Sequence, residues 1–281
     1  MTRLGIGITT YDRVHRLAGT LDSVARHTAT PHRLVVADDG SGDGTRDLLR
    51  ARRVRHIPGP NRGIAWNKNR LLYYFTHVDP HDVIVLLEDD TFPHADGWER
   101  PWIEAARRYG HANFASPGLD ALYTGGSGLP GDPYRSPVTS ANCAAFGRAA
   151  LLAVGFMDTR FRRYGYEHGE HTERLIRAGY GGDPATGDKF LVRSPLHVTE
   201  IGAAHYDKSL EANAQVYIQL KGDTSLFRPA WRSPEERRAL QADLRAAVTA
   251  DRGARAVIHA RTTTLAMMLG TLRRRARPRG P

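Results

Sequence analysis

The sequence predicts an α/β fold in which helices flank a mostly parallel central sheet, followed by a helical extension at the C-terminus. Two observations predict it. Short apolar runs alternate with helical patterns through the first 90 residues, and the apolar runs end in acidic or small polar residues. Such alternation is typical of parallel strands joined by right-handed crossovers. The 281 residues are enough for a substantial core.

The first part of the chain predicts four strands separated by three helices. After the first apolar run, RLGIGITTY, Val14, Leu17, Leu21 and Val24 recur at helical spacing. The further predicted strands are HRLVVADD, VRHIPG and DVIVLLEDD. The further predicted helices are RDLLRARR and NRGIAWNKNRLLYYFTHV. Because a helix separates each strand from the next, we expect these strands to lie parallel in one sheet.

The second part is interrupted by residues 118–137, which are rich in Gly and Pro. Beyond them, NCAAFGRAALLAVG predicts a strand and a helix, YGYEHGEHTERLIRAGY a helix, and DKFLVRSPLHVT a strand. Ser233, followed by Pro and two Glu, is typical of the start of a helix. Leu240, Leu244 and Val248 then recur every four residues, which predicts a buried face.

The positive charge is concentrated near the C-terminus. Residues 233–281 hold eleven arginines and four acidic residues, a net charge of +7, which leaves +3 for residues 1–232. An apolar stripe precedes the last arginines: Leu265, Met268, Leu269 and Leu272. We expect a sheet domain at 1–232 and a basic helical extension at 233–281. The extension is suited to an anionic partner, either a membrane surface or nucleic acid, with a solvated end as the alternative.

The composition indicates the class of protein and the cellular compartment. The apolar fraction of 41% and the charged fraction of 25% are ordinary for a globular protein. A single cysteine, Cys143, excludes an internal disulfide. We expect neither a signal peptide nor a membrane-spanning helix, because no apolar run is long enough. The expected compartment is the cytoplasm, with peripheral attachment to the inner face of the membrane as the alternative.

Three of the predicted strands end in polar clusters, at Thr9–Asp12, Asp38–Asp43 and Glu88–Asp90. In open α/β sheets, ligands bind beyond the carboxyl ends of the strands, so we expect these clusters to meet in one crevice. The acids in LLEDDTFP follow a buried run directly, and consecutive carboxylates suit Mg²⁺ or Mn²⁺. Solvated acids at a turn are the alternative.

In order, the blocks GIGITTYDRVHRLAGTLDSV, LVVADDGSGDGT, NRGIAWNKN, LLEDDTFP, NCAAFGRAALLAVGFMDTRF and YGYEHGEHTERLIRAGY resemble those of family 2 glycosyltransferases with the GT-A (Rossmann-like) fold. The resemblance extends over Leu4–Lys208. It implies a hexosyltransferase-type enzyme that moves a sugar from a nucleotide-diphosphate sugar, UDP-linked by expectation, to an acceptor hydroxyl. It also implies inversion at the anomeric carbon.

The resemblance implies eight residues that bind the nucleotide sugar: Thr9, Tyr11, Asp12, Asp38, Asp39, Lys68, Asn69 and Asp89. The first three would line the base and ribose. Asp38 or Asp39 would accept a hydrogen bond from a uracil-type ring NH, since a carboxylate only accepts. Lys68 and Asn69 would lie near the diphosphate, and a surface role is the alternative for Lys68.

The metal ligands implied by the resemblance are Glu88 and Asp90, in the position of the family's DXD-like motif, and His205 in AAHYDKS. Glu88 replaces the Asp that is usual at the first position. The implied cofactor is Mn²⁺ or Mg²⁺, and an imidazole ligand suits Mn²⁺ better.

For the catalytic base, the resemblance points to Glu167 and His168, where the family usually has Glu-Asp. Either side chain is able to accept the proton of the acceptor hydroxyl. Glu170 corresponds to a further acid of this block, and Arg174 to an arginine of the same helix. Glu170 and Arg174 are four residues apart, so a simple ion pair on the helix is the alternative.

Several acceptors and activities remain open at this stage. The acceptor is expected to be a polysaccharide, a lipid-linked glycan or a small natural product. Transfer to hydroxylated bases of DNA is an alternative that the basic tail suits. A nucleotidyltransferase is another, although its Gly-rich loop is missing after the first strand, where the sequence reads TTYDRVHR. A non-catalytic binding module is the last.

Overall fold

The computed structural model describes residues 2–199 and 208–247. Strands β1 to β10 are Leu4–Thr10, His32–Asp38, His56–Pro58, Val83–Glu88, Thr91–Pro93, His111–Phe114, Tyr134–Ser136, Cys143–Gly147, Lys189–Val192 and Leu196–Val198. Helices α1 to α7 are Val14–His27, Thr45–Ala51, Ile64–Tyr73, Arg100–Tyr109, Arg148–Val154, Glu167–Arg177 and Lys208–Lys221. Residues 234–247 are also helical and are named α8.

The central sheet has eight strands in the order β3-β2-β1-β4-β8-β6-β9-β7. Strands β3, β2, β1 and β4 are parallel neighbours, and β6 is parallel to β9. Strand β8 runs antiparallel between β4 and β6, and β7 is the antiparallel edge strand. The predicted α/β fold with a mostly parallel central sheet is therefore confirmed. Strands β5 and β10 form a separate antiparallel pair.

Each face of the sheet is covered by helices because the central strands are apolar on both faces. In β4, Ile84 and Leu86 belong to one core cluster, while Val83 and Val85 belong to the other. Successive side chains of a strand point to opposite faces, so a continuous apolar run fills two cores at once. Helix α3 lies in the first cluster, and α1 and α4 lie in the second.

Two glycines allow α3 and the helical turn after it to approach β1 closely. A Cβ atom on Gly5 would lie 2.7 Å from the ring of Phe75, and one on Gly7 would lie 2.8 Å from the side chain of Leu86 and 2.9 Å from that of Leu71. The GIG sequence of β1 therefore brings α3 against the strand whose end forms part of the crevice. This packing fixes where the side chains of α3 reach the carboxyl edge of the sheet.

The described part of the C-terminal extension packs into the same core as the sheet. Leu240, Leu244 and Ala247 of α8 are buried in the cluster that contains α3. The backbone NH of Glu236 donates to Ser233 Oγ at 3.2 Å, as expected for an N-cap. Val248 and the later apolar stripe and arginines lie outside the described residues, and the division at residue 232 stays a prediction. None of the described helices has the length and apolarity needed to cross a bilayer.

We predict that Leu244→Ala lowers the free energy of unfolding by about 2–5 kcal/mol, because it opens a cavity in a packed core. Leu152→Ala is the matched control, since Leu152 is 44% exposed and Leu244 only 5%. Urea unfolding followed by circular dichroism measures both changes. Equal, small losses in the two variants would show that α8 does not belong to the cooperative core.

Candidate functional site

The three polar strand ends meet at the carboxyl edge of the sheet, as the sequence predicts. Thr10 Oγ1, at the end of β1, donates to Asp89 Oδ2 at 2.7 Å. The backbone NH of Asp12 donates to Ser41 Oγ at 2.9 Å, and the NH of Gly42 donates to Asp12 Oδ1 at 2.7 Å. The end of β1 and the loops after β1, β2 and β4 are therefore joined by direct hydrogen bonds at this edge of the sheet, and the region that they line is called the crevice below.

Lys68 is buried between two carboxylates at this edge of the sheet. Its Nζ atom is 3.1 Å from Glu88 Oε1 and 3.5 Å from Glu167 Oε1. Burial alone would lower the pKa of Lys68, but the two carboxylates outweigh burial and raise it. The lysine therefore stays charged. It connects α3, the end of β4 and the start of α6.

The other two acids of LLEDDTFP are held by Arg13, which precedes α1, and by Arg16 of α1. Arg13 NH1 is 3.2 Å from Asp89 Oδ1 and 3.1 Å from Asp90 Oδ2, and Arg16 NH1 is 3.7 Å from the same oxygen of Asp90. Both aspartates are buried, whereas the arginine side chains are more than 40% exposed. Burial raises the pKa of Asp89, and Thr10 and Arg13 oppose that rise. Each acid at the end of β4 thus has a cationic neighbour.

Glu167 and His168 begin α6 but have different surroundings. Tyr166, with φ at 70°, turns the chain so that Glu167 faces Lys68. The second carboxylate oxygen of Glu167 is buried and has no hydrogen-bond partner among the described residues. His168 Nε2 is instead 2.6 Å from Asn113 Oδ1. Burial, with the nearby charge of Lys68, lowers the pKa of His168 well below its usual value, so this ring is neutral.

Glu170 and Asn69 are not brought to the crevice. Glu170 pairs with Arg174 at 2.7 Å, and the arginine also donates to the carbonyl oxygens of Val154 and Phe156. This is the helical ion pair that the sequence allowed as an alternative. Asn69 donates to the carbonyl oxygen of Met157 at 2.8 Å and accepts from its NH at 3.0 Å. The side-chain amide of Asn69 therefore has both its donor and its acceptor bonded to the backbone of Met157.

The two aspartates after β2 hold loops of the protein. Asp38 Oδ1 accepts from the NH of Ser41 at 2.9 Å, and its Oδ2 accepts from Arg46 at 2.8 Å. Asp39 accepts from the backbone NH groups of residues 62 and 63 and from Arg70. Burial raises the pKa of Asp39, and Arg70 opposes that rise. These contacts shape the crevice wall where the nucleotide is expected.

The remaining donor-site candidates lie along the same wall. Thr9 pairs in register with Glu88, and its buried hydroxyl has no partner among the described residues. Tyr11 and Asp12 are exposed at the loop after β1, where a base and ribose would be accessible. His205 lies outside the described residues. The structure thus brings together Lys68, Glu88 and Glu167, and Thr9 lies beside Glu88 in the register of β1 and β4.

The sequence model of the family described as Glycosyl transferase family 2 matches residues 6–118 of the chain. These residues contain the first three polar strand ends and Lys68. Over these residues the chain is similar to glycosyltransferase family 2. The predicted resemblance is thus confirmed, and the protein is a glycosyltransferase. No curated protein matches its sequence.

Solved structures of other glycosyltransferases share the fold of this one. A mannosyltransferase from Pyrobaculum calidifontis, in complex with GDP-Man and Mn²⁺, has a TM-score of 0.58 at 18% identity, over 95% of this chain and 81% of that one. GalNAc-T7 with UDP, GalNAc and Mn²⁺ has a TM-score of 0.57 at 14% identity, over 79% and 48% of the two chains. At these identities, the likeness establishes the GT-A fold.

A third structure, S. aureus TarS 1–349 in complex with UDP-GlcNAc, has a TM-score of 0.51 at 12% identity. The match covers 72% of this chain and 60% of that one. The glycosyltransferase therefore spans most of the mannosyltransferase, about half of GalNAc-T7 and a little under two thirds of this TarS fragment.

The donor atoms after β4 suit a hard divalent cation. Glu88 and Asp90 offer only oxygen ligands, which Mg²⁺ and Mn²⁺ accept. Asp90 is balanced by half-exposed arginines, and Glu88 is 24% exposed, so water and ions have access to it. Within residues 2–199 and 208–247, no group of three or more His, Cys, Asp or Glu side chains is arranged to hold a metal. The role of Glu88 and Asp90 as metal ligands stays a prediction that rests on the chemistry of their oxygen atoms.

Some residues of the site were not predicted from the sequence. Arg13 and Arg16 stand in the first block of the resemblance, and their three-residue spacing at the start of α1 was a usable signal. Asn113, which holds His168, stands in the short strand HANF, and nothing in that strand indicates its contact. The glycosyltransferase thus uses arginines at the start of α1 where the sequence had suggested only acids.

A cluster of buried neutral histidines supports the start of α6. His111 stacks on Phe146 with ring centroids 4.6 Å apart and is 2.9 Å from the carbonyl oxygen of Ala145. His171 is 5.6 Å from the same phenyl ring. Burial lowers the pKa of His111 to about 4, and those of His168 and His171 well below 6.5. The folded protein therefore binds fewer protons than the unfolded chain below pH 6.5.

We predict that the free energy of unfolding falls as the pH is lowered from 6.5 toward about 4. Each buried neutral histidine contributes about 1.4 kcal/mol per pH unit in that window, because the unfolded chain takes up the proton. His111→Gln is expected to remove one such contribution from the slope, and His32→Gln, at an exposed position, is the matched control. Urea unfolding at a series of pH values measures the slopes. Identical slopes in all three proteins would contradict the assignment.

Proposed function

We propose that the protein transfers the sugar of a UDP-sugar to an acceptor hydroxyl, with inversion, in the crevice between β4 and α6. The observation that carries this proposal is the contact of Lys68 with both Glu88 and Glu167. It places the end of β4, where a metal and a diphosphate would bind, next to a carboxylate that is able to act as a general base. Glu88 and Glu167 lie 20 and 99 residues beyond Lys68 in the sequence, so only the fold brings the three together.

The crevice places charged side chains where the donor is proposed to bind. The proposed cofactor, Mn²⁺ or Mg²⁺, would be held by Glu88 and Asp90. When bound, such a cation neutralises the charge that develops on a departing diphosphate. Lys68 and Arg13 carry fixed positive charge beside the same acids. Two of the three structures compared contain uridine nucleotides, which supports UDP over GDP.

Glu167 is the proposed general base. Its Oε1 atom faces Lys68, while Oε2 has no partner among the described residues and remains able to accept a proton. The acceptor oxygen would attack the anomeric carbon as its proton passes to Glu167, and the bond to the diphosphate would break on the opposite face. His168 is less suited to this role because its Nε2 is committed to Asn113.

For the acceptor, we propose a hydroxyl of a glycan, either in a polysaccharide or lipid-linked. A membrane-bound acceptor would match the excess of arginine over acidic residues in positions 233–281, since anionic lipid attracts basic segments. Binding to liposomes that contain anionic lipid, compared with neutral ones, separates this acceptor from a free polysaccharide.

Glu167→Gln is expected to lower kcat by a factor of about 10²–10⁴, the usual contribution of a general base. Affinity for UDP should change little, because Gln keeps a polar contact with Lys68. Transfer is measured by release of UDP from a UDP-sugar in Mn²⁺, and affinity by calorimetry. His168→Gln is the matched comparison one residue along α6. A loss of turnover confined to the His168 variant would reverse the two roles.

A further inference from the structure

The C-terminal helix α8 reaches the donor side of the crevice through one buried ion pair. Asp243 Oδ2 accepts from Arg70 Nε at 2.9 Å and from Trp66 Nε1 at 3.2 Å. Arg70 is fully buried, and Asp243 is 8% exposed. Trp66 and Arg70 both belong to α3, so a carboxylate 173 residues later in the chain fixes two successive turns of that helix.

Arg70 uses its other donors on the loop after β2, on the segment before α3 and on α3 itself. Its NH1 group donates to Asp39 Oδ1 at 2.8 Å and to Asn67 Oδ1 at 2.9 Å. Its NH2 group donates to the carbonyl oxygen of Pro60 at 2.9 Å. A Cβ atom on Gly59 would lie 2.0 Å from NH2, so the guanidinium fits closely against this backbone. A planar guanidinium held at this many points has a fixed orientation.

Asp39 links Arg70 to the turn that precedes α3. It accepts from the NH of Arg62 at 3.0 Å and from the NH of Gly63 at 2.8 Å. Gly63 precedes α3, and Lys68 lies one turn into that helix. The contacts therefore run from α8 through Arg70 and Asp39 to the helix that places Lys68 between the two crevice carboxylates.

We propose that Asp243 is a positioning residue for donor binding, which acts through Arg70 and Asp39 on residues 59–63 and on Lys68. This inference rests on the proposed function. Because both carboxylates share one buried guanidinium, loss of the Asp243 charge leaves Arg70 with a weaker partner at one end. The guanidinium of Arg70 then changes its orientation, and residues 59–63 and α3 shift relative to β4. Small displacements of binding groups are costly even when the altered residue is remote.

The position of Asp243 favours a role at the donor rather than at the base. Its contacts end at α3 and at the loop after β2, the wall where the nucleotide is expected. Glu167 begins α6, which none of the hydrogen bonds of Arg70 and Asp243 reaches, and it meets α3 only at the 3.5 Å contact with Lys68. We therefore expect an effect on the affinity and KM for the donor that exceeds the effect on kcat or on the acceptor KM.

The test compares Asp243→Asn with Glu236→Gln. Glu236 also lies on α8 and also anchors it, through Thr159 and Arg232, but it has no contact with Arg70. We expect UDP affinity in Mn²⁺, measured by calorimetry, to fall about tenfold in Asp243→Asn and to stay within about twofold of wild type in Glu236→Gln. Asp243→Glu, which restores the carboxylate, should recover most of the loss. Circular dichroism and thermal melting establish that each variant is folded.

A measurement on the wild-type protein covers the case in which Asp243→Asn does not fold. Hydrogen exchange with and without UDP and Mn²⁺ should show joint protection of residues 59–67 and of residues 240–247 in α8. Protection restricted to the crevice, or an equal loss of affinity in Glu236→Gln and Asp243→Asn, would overturn the inference. Absence of UDP binding by the wild type would instead overturn the proposed function and the inference together.

Discussion

A buried ammonium group between two carboxylates is the interaction on which the site depends. Lys68 is only 3% exposed, and an unpaired charge at such a depth would cost several kcal/mol. Glu88 and Glu167 supply the compensating charge, so α3, β4 and α6 have to meet at this point. The glycines of β1 and the turn at Tyr166 are the local features that permit this meeting.

Charge is balanced differently in the two halves of the crevice, and the difference bears on function. In the half around Lys68, the lysine and Glu167 are buried and Glu88 is 24% exposed, whereas in the other half Arg13 is 43% exposed above the buried Asp89 and Asp90. An exposed guanidinium is able to change partners at little cost, while a buried lysine is not. The half around Lys68 therefore suits recognition of the donor and proton transfer. The exposed half suits exchange of the counter-charge when an anionic donor and a cation enter.

The fold was predictable because the strands and helices of the first half have strong periodicity, and the meeting of three polar clusters followed from the direction of parallel strands. Residue roles were less predictable. Glu170 pairs with Arg174 in the interior of the protein. Their four-residue spacing made this ion pair possible but did not determine whether it forms. Asp243 bonds to Arg70 across 173 positions, and no local pattern encodes such a contact. A carboxylate in the sequence shows that a charge exists, but its partner depends on tertiary packing.

The central claim is that Glu88 and Asp90 form one wall of a donor site and Glu167 another. Anomalous diffraction from crystals of the protein with UDP and Mn²⁺ tests it most directly. We expect a manganese peak within ligand distance, about 2.0–2.5 Å, of oxygens of Glu88 or Asp90, with the diphosphate beside it and Glu167 facing the sugar pocket. A peak elsewhere, or a nucleotide bound away from Lys68, would contradict it.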